Sequence, residues 1–195
     1  MAEITLFDKL LGLLAPQKCL YCGYPTDENG NAVCEKCQKT EKELLRAICP
    51  TCGQPSDECL CSEKDGITYL FWYDKKPARR AVARIKHGNN IVAARHIAAL
   101  LAERLRDRSF DAVFYVPRSK KALRQYGFDQ AELLAKCLSD ELRVPLCPAL
   151  SRKREKPPQK LLSASQRRRN IRDSFAVKSG IRGDVRSALL VDDVI

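Results

Sequence analysis

Apolar and polar residues follow each other along the chain in patterns that predict helices and strands in turn. Apolar side chains at positions 91, 94, 98, 101 and 105 recur at helical spacing and predict a helix over 91–108. Two less regular stretches, at 78–86 and 128–142, also indicate helices. Strands are predicted where β-branched, aromatic or aliphatic residues run together, at 67–73, 112–116 and 185–191. Such alternation indicates a parallel sheet flanked by helices.

The last predicted strand leads directly into two carboxylates, Asp192 and Asp193. An apolar strand followed by acids is typical of a buried parallel strand that delivers them to the carboxyl edge of a sheet, where open α/β proteins bind ligands. The sequence stops at Ile195, so we expect the following loop and helix to be missing and the ligand site to be incomplete.

Charge divides the chain into an acidic front and a basic rear. Residues 1–66 hold 7 Lys and Arg against 11 Asp and Glu, whereas residues 67–195 hold 28 against 13. The basic part should attract phosphates, nucleic acid or an acidic protein face. The front begins with an apolar stretch at 4–14, interrupted by charge, which predicts an amphipathic helix within residues 1–18. We expect it to pack on the protein in preference to a membrane.

Eight of the ten cysteines lie between Cys19 and Cys61, and the sequence shows neither a secretory signal nor an apolar run of bilayer length. We therefore expect a cytoplasmic protein without a membrane span. In that setting paired cysteines bind metal by default, and a disulfide framework is the alternative.

The cysteine spacing predicts two structural zinc sites. A Cys-x2-Cys turn places two thiolates on one side of a tight knuckle, and two knuckles complete a tetrahedron. The two sets in sequence order are Cys19, Cys22, Cys34 and Cys37, then Cys49, Cys52, Cys59 and Cys61. A crossed pairing of the knuckles stays open. Four sulfurs close each site, so about two zinc ions should supply the folding free energy of this module, and its function should be docking.

A basic segment at 151–172 holds nine Lys and Arg, Lys156 among them, and one acid. Its two prolines oppose a continuous helix. Such a segment is either a solvated surface loop or a loop that closes over a polyphosphate.

Together these features resemble the ComF family, also called GntX-like, over nearly the whole chain. The motifs are weak singly and specific in combination: Phe71-x-Tyr73, Ile85-Lys86-x-Gly88, Val116-Pro117, Tyr126-Gly127-Phe128-Asp129-Gln130, Gln159 with Arg167, Asn170 and Phe175, and Val191-Asp192-Asp193-Val194. Members look like type I phosphoribosyltransferases with a zinc module in front. The resemblance implies a double zinc ribbon over 19–63, followed over 67–195 by an α/β domain with a type I phosphoribosyltransferase-like parallel sheet flanked by helices.

The resemblance also implies roles for the matching residues. Asp192 and Asp193 match the acidic pair that binds the ribose hydroxyls of phosphoribosyl pyrophosphate (PRPP), and Lys156 would join them in catalysis by offsetting charge on the departing pyrophosphate. Mg²⁺ would bridge pyrophosphate and ribose oxygens. The residues that stand where the pyrophosphate loop should be are Arg118, Ser119, Lys120 and Lys121.

Three features depart from the family pattern. Tyr126 and Asp129 replace Arg and Asn, Pro157 replaces Thr, and the Thr-Thr-Gly-x-Thr stretch that should follow Asp193 is absent, which truncates the PRPP motif. We therefore expect a PRPP-binding protein linked to competence and DNA uptake, in which phosphoribosyl transfer to an unknown acceptor is lost from this chain. The alternative is a non-catalytic zinc-ribbon adaptor that binds a protein partner or single-stranded DNA.

Overall fold

The computed structural model describes residues 16–26, 30–46, 49, 54–55, 58–59, 66–73, 75–88, 90–153, 174–178 and 185–192. The chain divides into two compact units, one ending at Leu105 and the other beginning at Arg106. The helix expected within residues 1–18 falls almost entirely outside the described residues, and so does most of the basic segment at 151–172.

The helices of the first unit are α1 (Glu35–Leu45), α2 (Lys76–His87) and α3 (Ile91–Arg104). α2 has Pro77 in its first turn, where a missing N–H costs no helical hydrogen bond, and it buries one face through Ala78 and Ile85. α3 starts at a side-chain cap, because Asn90 accepts a hydrogen bond from the Ala93 N–H at 2.9 Å. The two helices predicted for this stretch are confirmed.

The strand predicted at 67–73 is wrong. Residues 66–73 form an irregular segment with turns or bends at 66, 70, 71 and 73. The rings of Tyr69 and Trp72 pack together with 4.7 Å between their centroids. The Tyr69 carbonyl accepts a hydrogen bond from Arg104 Nη1 at 2.5 Å. The aromatic side chains of this segment pack against each other. Aromatic residues favour strands largely because their side chains pack well there, and here the packing occurs without a strand.

The second unit contains, in chain order, β1 (Ala112–Tyr115), α4 (Lys120–Tyr126), α5 (Gln130–Leu142), β2 (Leu150–Arg152), β3 (Phe175–Val177) and β4 (Ala188–Val191). β1 and β4 pair in parallel, with Ala112 opposite Ala188 and Tyr115 opposite Val191. β2 and β3 form a separate antiparallel pair. The parallel pair confirms the α/β character of this unit.

α5 packs against both β1 and β4 and buries Leu134 and Leu138 in the core. β4 is not the buried strand that its composition predicts, since Leu190 is 55% exposed. Parallel strands are usually covered on both faces. Of the described elements, α5 packs against β4, but the face of β4 that carries Leu190 is exposed. Among the described residues, each helix is too short or too polar to cross a bilayer.

Candidate functional site

Four cysteine sulfurs converge in the first unit. The Sγ atoms of Cys19, Cys22, Cys34 and Cys37 lie within 4.8 Å of one another, and the Cys22 and Cys34 sulfurs are 3.7 Å apart. Tetrahedral zinc with bonds of about 2.3 Å to sulfur requires sulfurs about 3.8 Å apart. The cluster therefore has the chemistry and the size of a structural zinc site, and the first predicted ligand set is brought together.

Local backbone geometry explains how the first knuckle forms. The Cys19 N–H donates to the Tyr24 carbonyl at 2.8 Å, and the Gly23 N–H donates back to the Cys19 carbonyl at 3.0 Å. Gly23 has a φ of 84°, which a residue without Cβ adopts at little cost. The second knuckle opens α1, since Cys34 is its N-cap residue and Cys37 lies in its first turn.

The thiols of this cluster differ in acidity. Burial raises the pKa of Cys19, but backbone N–H groups of Cys22, Cys34 and Tyr21 outweigh burial and lower it to about 6. Burial, followed by the neighbouring sulfurs, raises the pKa of Cys37. Four such sulfurs cannot all carry negative charge at this separation without a cation between them. Zinc would supply that charge, and its binding would release protons from the thiols.

Half of the second ligand set is described and has the same local geometry. The Cys49 N–H donates to the Gln54 carbonyl at 2.7 Å, five residues ahead, as Cys19 does to Tyr24. Cys49 and Cys59 are both buried. Burial first, and then the Cys59 and Cys49 thiols, raise the pKa of Tyr69. Cys52 and Cys61 lie outside the described residues.

A chain of hydrogen bonds between buried and partly buried side chains connects the first knuckle with two helices. The Tyr21 hydroxyl, whose residue is 2% exposed, donates to Glu41 Oε1 on α1 at 2.8 Å. The same carboxylate oxygen lies 2.7 Å from His96 Nε2 on α3. Burial, and then the charge of Glu41, raise the pKa of Tyr21. The sequence carries no signal for this chain of contacts, because its members lie 20 and 55 positions apart.

The guanidinium of Arg84 on α2 packs directly against the first knuckle. A Cβ placed on Gly23 would overlap Arg84 Nη2 and lie 2.7 Å from its Cζ. Within the described part of the chain, Arg84 Nε is buried without a hydrogen-bond partner. Gly23 therefore has two roles at the site. It adopts a positive φ, and the absence of a Cβ leaves space for the Arg84 guanidinium.

In the second unit, the parallel pairing brings two strand ends to one edge. The Val116 N–H donates to the Val191 carbonyl at 3.0 Å, so Pro117 and Arg118 leave the sheet beside Asp192. Arg152, at the start of the basic segment, donates from Nε to the Pro117 carbonyl at 3.3 Å. The predicted parts of a PRPP site are the loop after β1, the basic segment and the acidic pair. Described residues of all three lie near the carboxyl ends of β1 and β4.

Arg118 is held by residues of the Tyr126-Gly127-Phe128-Asp129 motif. Its backbone N–H donates to Asp129 Oδ2 at 2.6 Å, and its Nη1 donates to the Phe128 carbonyl at 3.0 Å. Its guanidinium lies 4.6 Å from the ring centroid of Tyr126 and 5.4 Å from that of Phe128. These contacts fix the position of Arg118 after the end of β1, a role of this motif that the sequence did not predict.

The other predicted residues of this edge differ in placement. Ser119 caps α4, its Oγ accepting from the Ala122 N–H at 3.2 Å. Lys120 and Lys121 are exposed in the first turn of that helix, where the family resemblance implies a loop. Asp192 is exposed. Asp193 and Lys156 lie outside the described residues.

Comparisons with known proteins bear on both units. Residues 10–65 match the double zinc ribbon domain. The chain is also 26% identical over 199 residues to the DNA utilization protein YhgH of Escherichia coli O157:H7 and to that of Shigella flexneri, in each case over 94% of this chain and 86% of the relative. It is 24% identical over 202 residues to the YhgH protein of Salmonella typhi, with the same coverage. No solved structure matches the chain.

These matches and the four-cysteine cluster support a double zinc ribbon in this chain. They support structural zinc in the amino-terminal module and a relation to proteins of DNA utilization.

Proposed function

We propose that this chain is a ComF-like protein of DNA utilization that binds PRPP at the carboxyl edge of β1 and β4, in a domain of the type I phosphoribosyltransferase kind. The observation that carries the proposal is the parallel pairing of these strands. It sets the loop after β1 beside the acid after β4, which is the arrangement that a sugar carrying a pyrophosphate requires. The zinc ribbons would serve as the docking module for a protein partner.

The chemistry of the residues at this edge fits the ligand. Asp192 offers carboxylate oxygens that can accept hydrogen bonds from vicinal ribose hydroxyls. Arg118, Lys120, Lys121 and Arg152 would surround the pyrophosphate with positive charge, and the pyrophosphate would enter with a divalent cation such as Mg²⁺ as part of the ligand. Membership of the domain in this fold is supported by the short parallel sheet with α5 against it.

Titration calorimetry of the whole chain with PRPP and Mg²⁺ tests this function. Asp192→Asn should weaken PRPP binding about tenfold or more, because a charged hydrogen-bond acceptor is lost. The matched control is Asp107→Asn, which removes a carboxylate that is 92% exposed and paired with Arg106. Absence of PRPP binding by the zinc-loaded wild-type chain, or an equal effect of both substitutions, would contradict the proposal.

A second candidate function is single-stranded DNA binding by the first unit. α2 carries no acid and exposes Lys76, Arg79 and Arg80. Tyr24, which follows the Gly23 that contacts this helix through Arg84, is 74% exposed. A basic helix beside an exposed aromatic ring combines the phosphate contacts and the stacking surface that single strands need.

Salt-dependent binding of an oligonucleotide distinguishes this candidate. Substituting Arg79 and Arg80 by alanine should lower the slope of log K against log salt by about 1.4, since each phosphate contact on a single strand contributes about 0.7. Tyr24→Ala should weaken binding without changing the slope. The control is Arg95→Ala, on the exposed side of α3. Equal slopes for the wild type, the double variant and the control would exclude α2 as the contact.

A further inference from the structure

The loop after β1 already uses the groups with which it would hold an anion. The Arg118 N–H is bonded to Asp129 Oδ2 at 2.6 Å. The Nη1 atom of Arg118 donates to the Phe128 carbonyl at 3.0 Å. A phosphate that approached this loop would compete with these protein acceptors for the same donors.

Among these acceptors, Asp129 carries the negative charge. Its other oxygen, Oδ1, accepts from the Ala131 and Glu132 N–H groups at 3.0 and 3.4 Å and so caps α5. The carboxylate is therefore fixed from both sides, by the amino end of a helix and by the loop. It cannot move away from an incoming anion without uncapping α5, and it repels that anion from within a few ångströms of the Arg118 N–H.

We propose that Asp129 is a specificity-determining residue of the site, which lowers the affinity of the loop for an uncomplexed polyphosphate by occupying the Arg118 N–H with a negatively charged acceptor. This inference rests on the proposed PRPP-binding function and adds selectivity to it. A pyrophosphate whose charge is offset by a divalent cation is disfavoured less than a bare one, so the residue selects for the metal complex.

Asp129→Asn separates charge from structure. Asparagine has one side-chain oxygen, which can cap α5 about as well as the aspartate oxygen Oδ1 does, and the position now held by Oδ2 then presents no charged acceptor to the Arg118 N–H. Asp129→Ser is a second variant that keeps a capping oxygen and removes the charge. Glu132→Gln is the matched control, since it removes a carboxylate from the same first turn of α5 but leaves the contact with the Arg118 N–H intact.

The measurement is calorimetric titration of each whole, zinc-loaded protein with pyrophosphate in the absence of Mg²⁺, and with PRPP in the presence of Mg²⁺. We expect Asp129→Asn to bind bare pyrophosphate about tenfold more tightly than the wild type, which corresponds to the removal of one nearby charge at a partly solvated site. Binding of PRPP with Mg²⁺ should change less. A residue that only supported the fold would show weaker binding, or none, in the same titration.

The outcomes separate this inference from the function on which it rests. If the wild type binds PRPP with Mg²⁺ but both charge-removing variants bind pyrophosphate no more tightly than it does, the role of Asp129 is refuted and the proposed function stands. The same holds if Glu132→Gln gives an equal gain, because the effect is then general charge. If the wild type does not bind PRPP with Mg²⁺, the proposed function fails, and the selectivity of its site with it.

Discussion

Two glycines of the zinc ribbon offer a direct test of how the first knuckle packs on α2. Gly23 and Gly30 both have positive φ, at 84° and 68°. A Cβ at Gly30 would meet no atom of the described residues within 4 Å, whereas a Cβ at Gly23 would overlap the Arg84 guanidinium. The two alanine variants therefore share a backbone cost and differ by the displacement of one partly buried side chain, that of Arg84.

The magnitudes follow from these two terms. A non-glycine residue in the left-handed region costs about 1 kcal/mol, which is the whole expected effect of Gly30→Ala. Gly23→Ala adds overpacking against Arg84, which costs about 1 kcal/mol when a flexible side chain can shift. We expect Gly23→Ala to be destabilised by about 2 kcal/mol in all, and to melt several degrees below Gly30→Ala, at about 4 °C per kcal/mol.

Thermal unfolding of the zinc-saturated proteins is the assay, with free zinc held constant because bound metal contributes to stability. The same two substitutions made in an Arg84→Ala background complete a double-mutant cycle. There the extra cost of Gly23→Ala should disappear and leave only the backbone term. Equal melting temperatures for the two single variants, or an extra cost that persists without Arg84, would refute the packing of Arg84 on the knuckle.

Three further predictions concern the metal and the two units. Tyr21→Phe removes the buried hydrogen bond to Glu41 and should cost about 1.5–3 kcal/mol in urea unfolding of the zinc-loaded protein, whereas Tyr24→Phe, at an exposed ring, should cost nothing measurable. The N–H groups of Ser187 and Arg186, just before β4, lower the pKa of Asp111. Its contribution to stability is therefore present above about pH 4, where the unfolded carboxyl titrates, and is lost as pH falls through the lower folded value. Asp111→Asn should flatten the acid limb of stability measured against pH. Cys37→Ser should reduce bound zinc from about two ions per chain to about one by elemental analysis, while a loss of both ions would contradict independent sites.

Local rules account for the features that the sequence predicted correctly. Two cysteines separated by two residues determine a knuckle within four positions, so their spacing alone was enough to predict the first zinc cluster. The apolar periodicity of 91–108 sufficed to predict α3, and the less regular pattern of 128–142 indicated α5, because each helix buries several apolar residues. The parallel pairing of β1 with β4 followed from the alternation of strands and helices.

Elements with little buried surface escaped prediction. α1 buries only Leu44 among eleven mostly polar residues, and α4 buries none, so neither shows an apolar period. α1 depends on long-range contacts instead, since Glu41 is bonded to Tyr21 and His96, and the Leu45 carbonyl accepts from Arg104 Nη2 at 3.1 Å. Contacts of this kind join residues up to 59 positions apart and leave no local pattern.

The departures from the family pattern at positions 126 and 129 are linked, because both residues contact Arg118. The family resemblance implies an arginine at 126 and an asparagine at 129, and this chain has Tyr126 and Asp129. In the structure both side chains contact Arg118, the tyrosine through its ring face and the aspartate through the backbone N–H. An arginine at 126 would bring a second guanidinium against that of Arg118, whereas an aromatic ring attracts it. Arg118 thus supplies a cation that the ring of Tyr126 contacts, and Asp129 accepts the hydrogen bond of its backbone N–H. A change at 126 alone would disturb the side-chain contact without releasing the N–H, so a change at 129 is the one expected to alter the affinity of this edge for an anion.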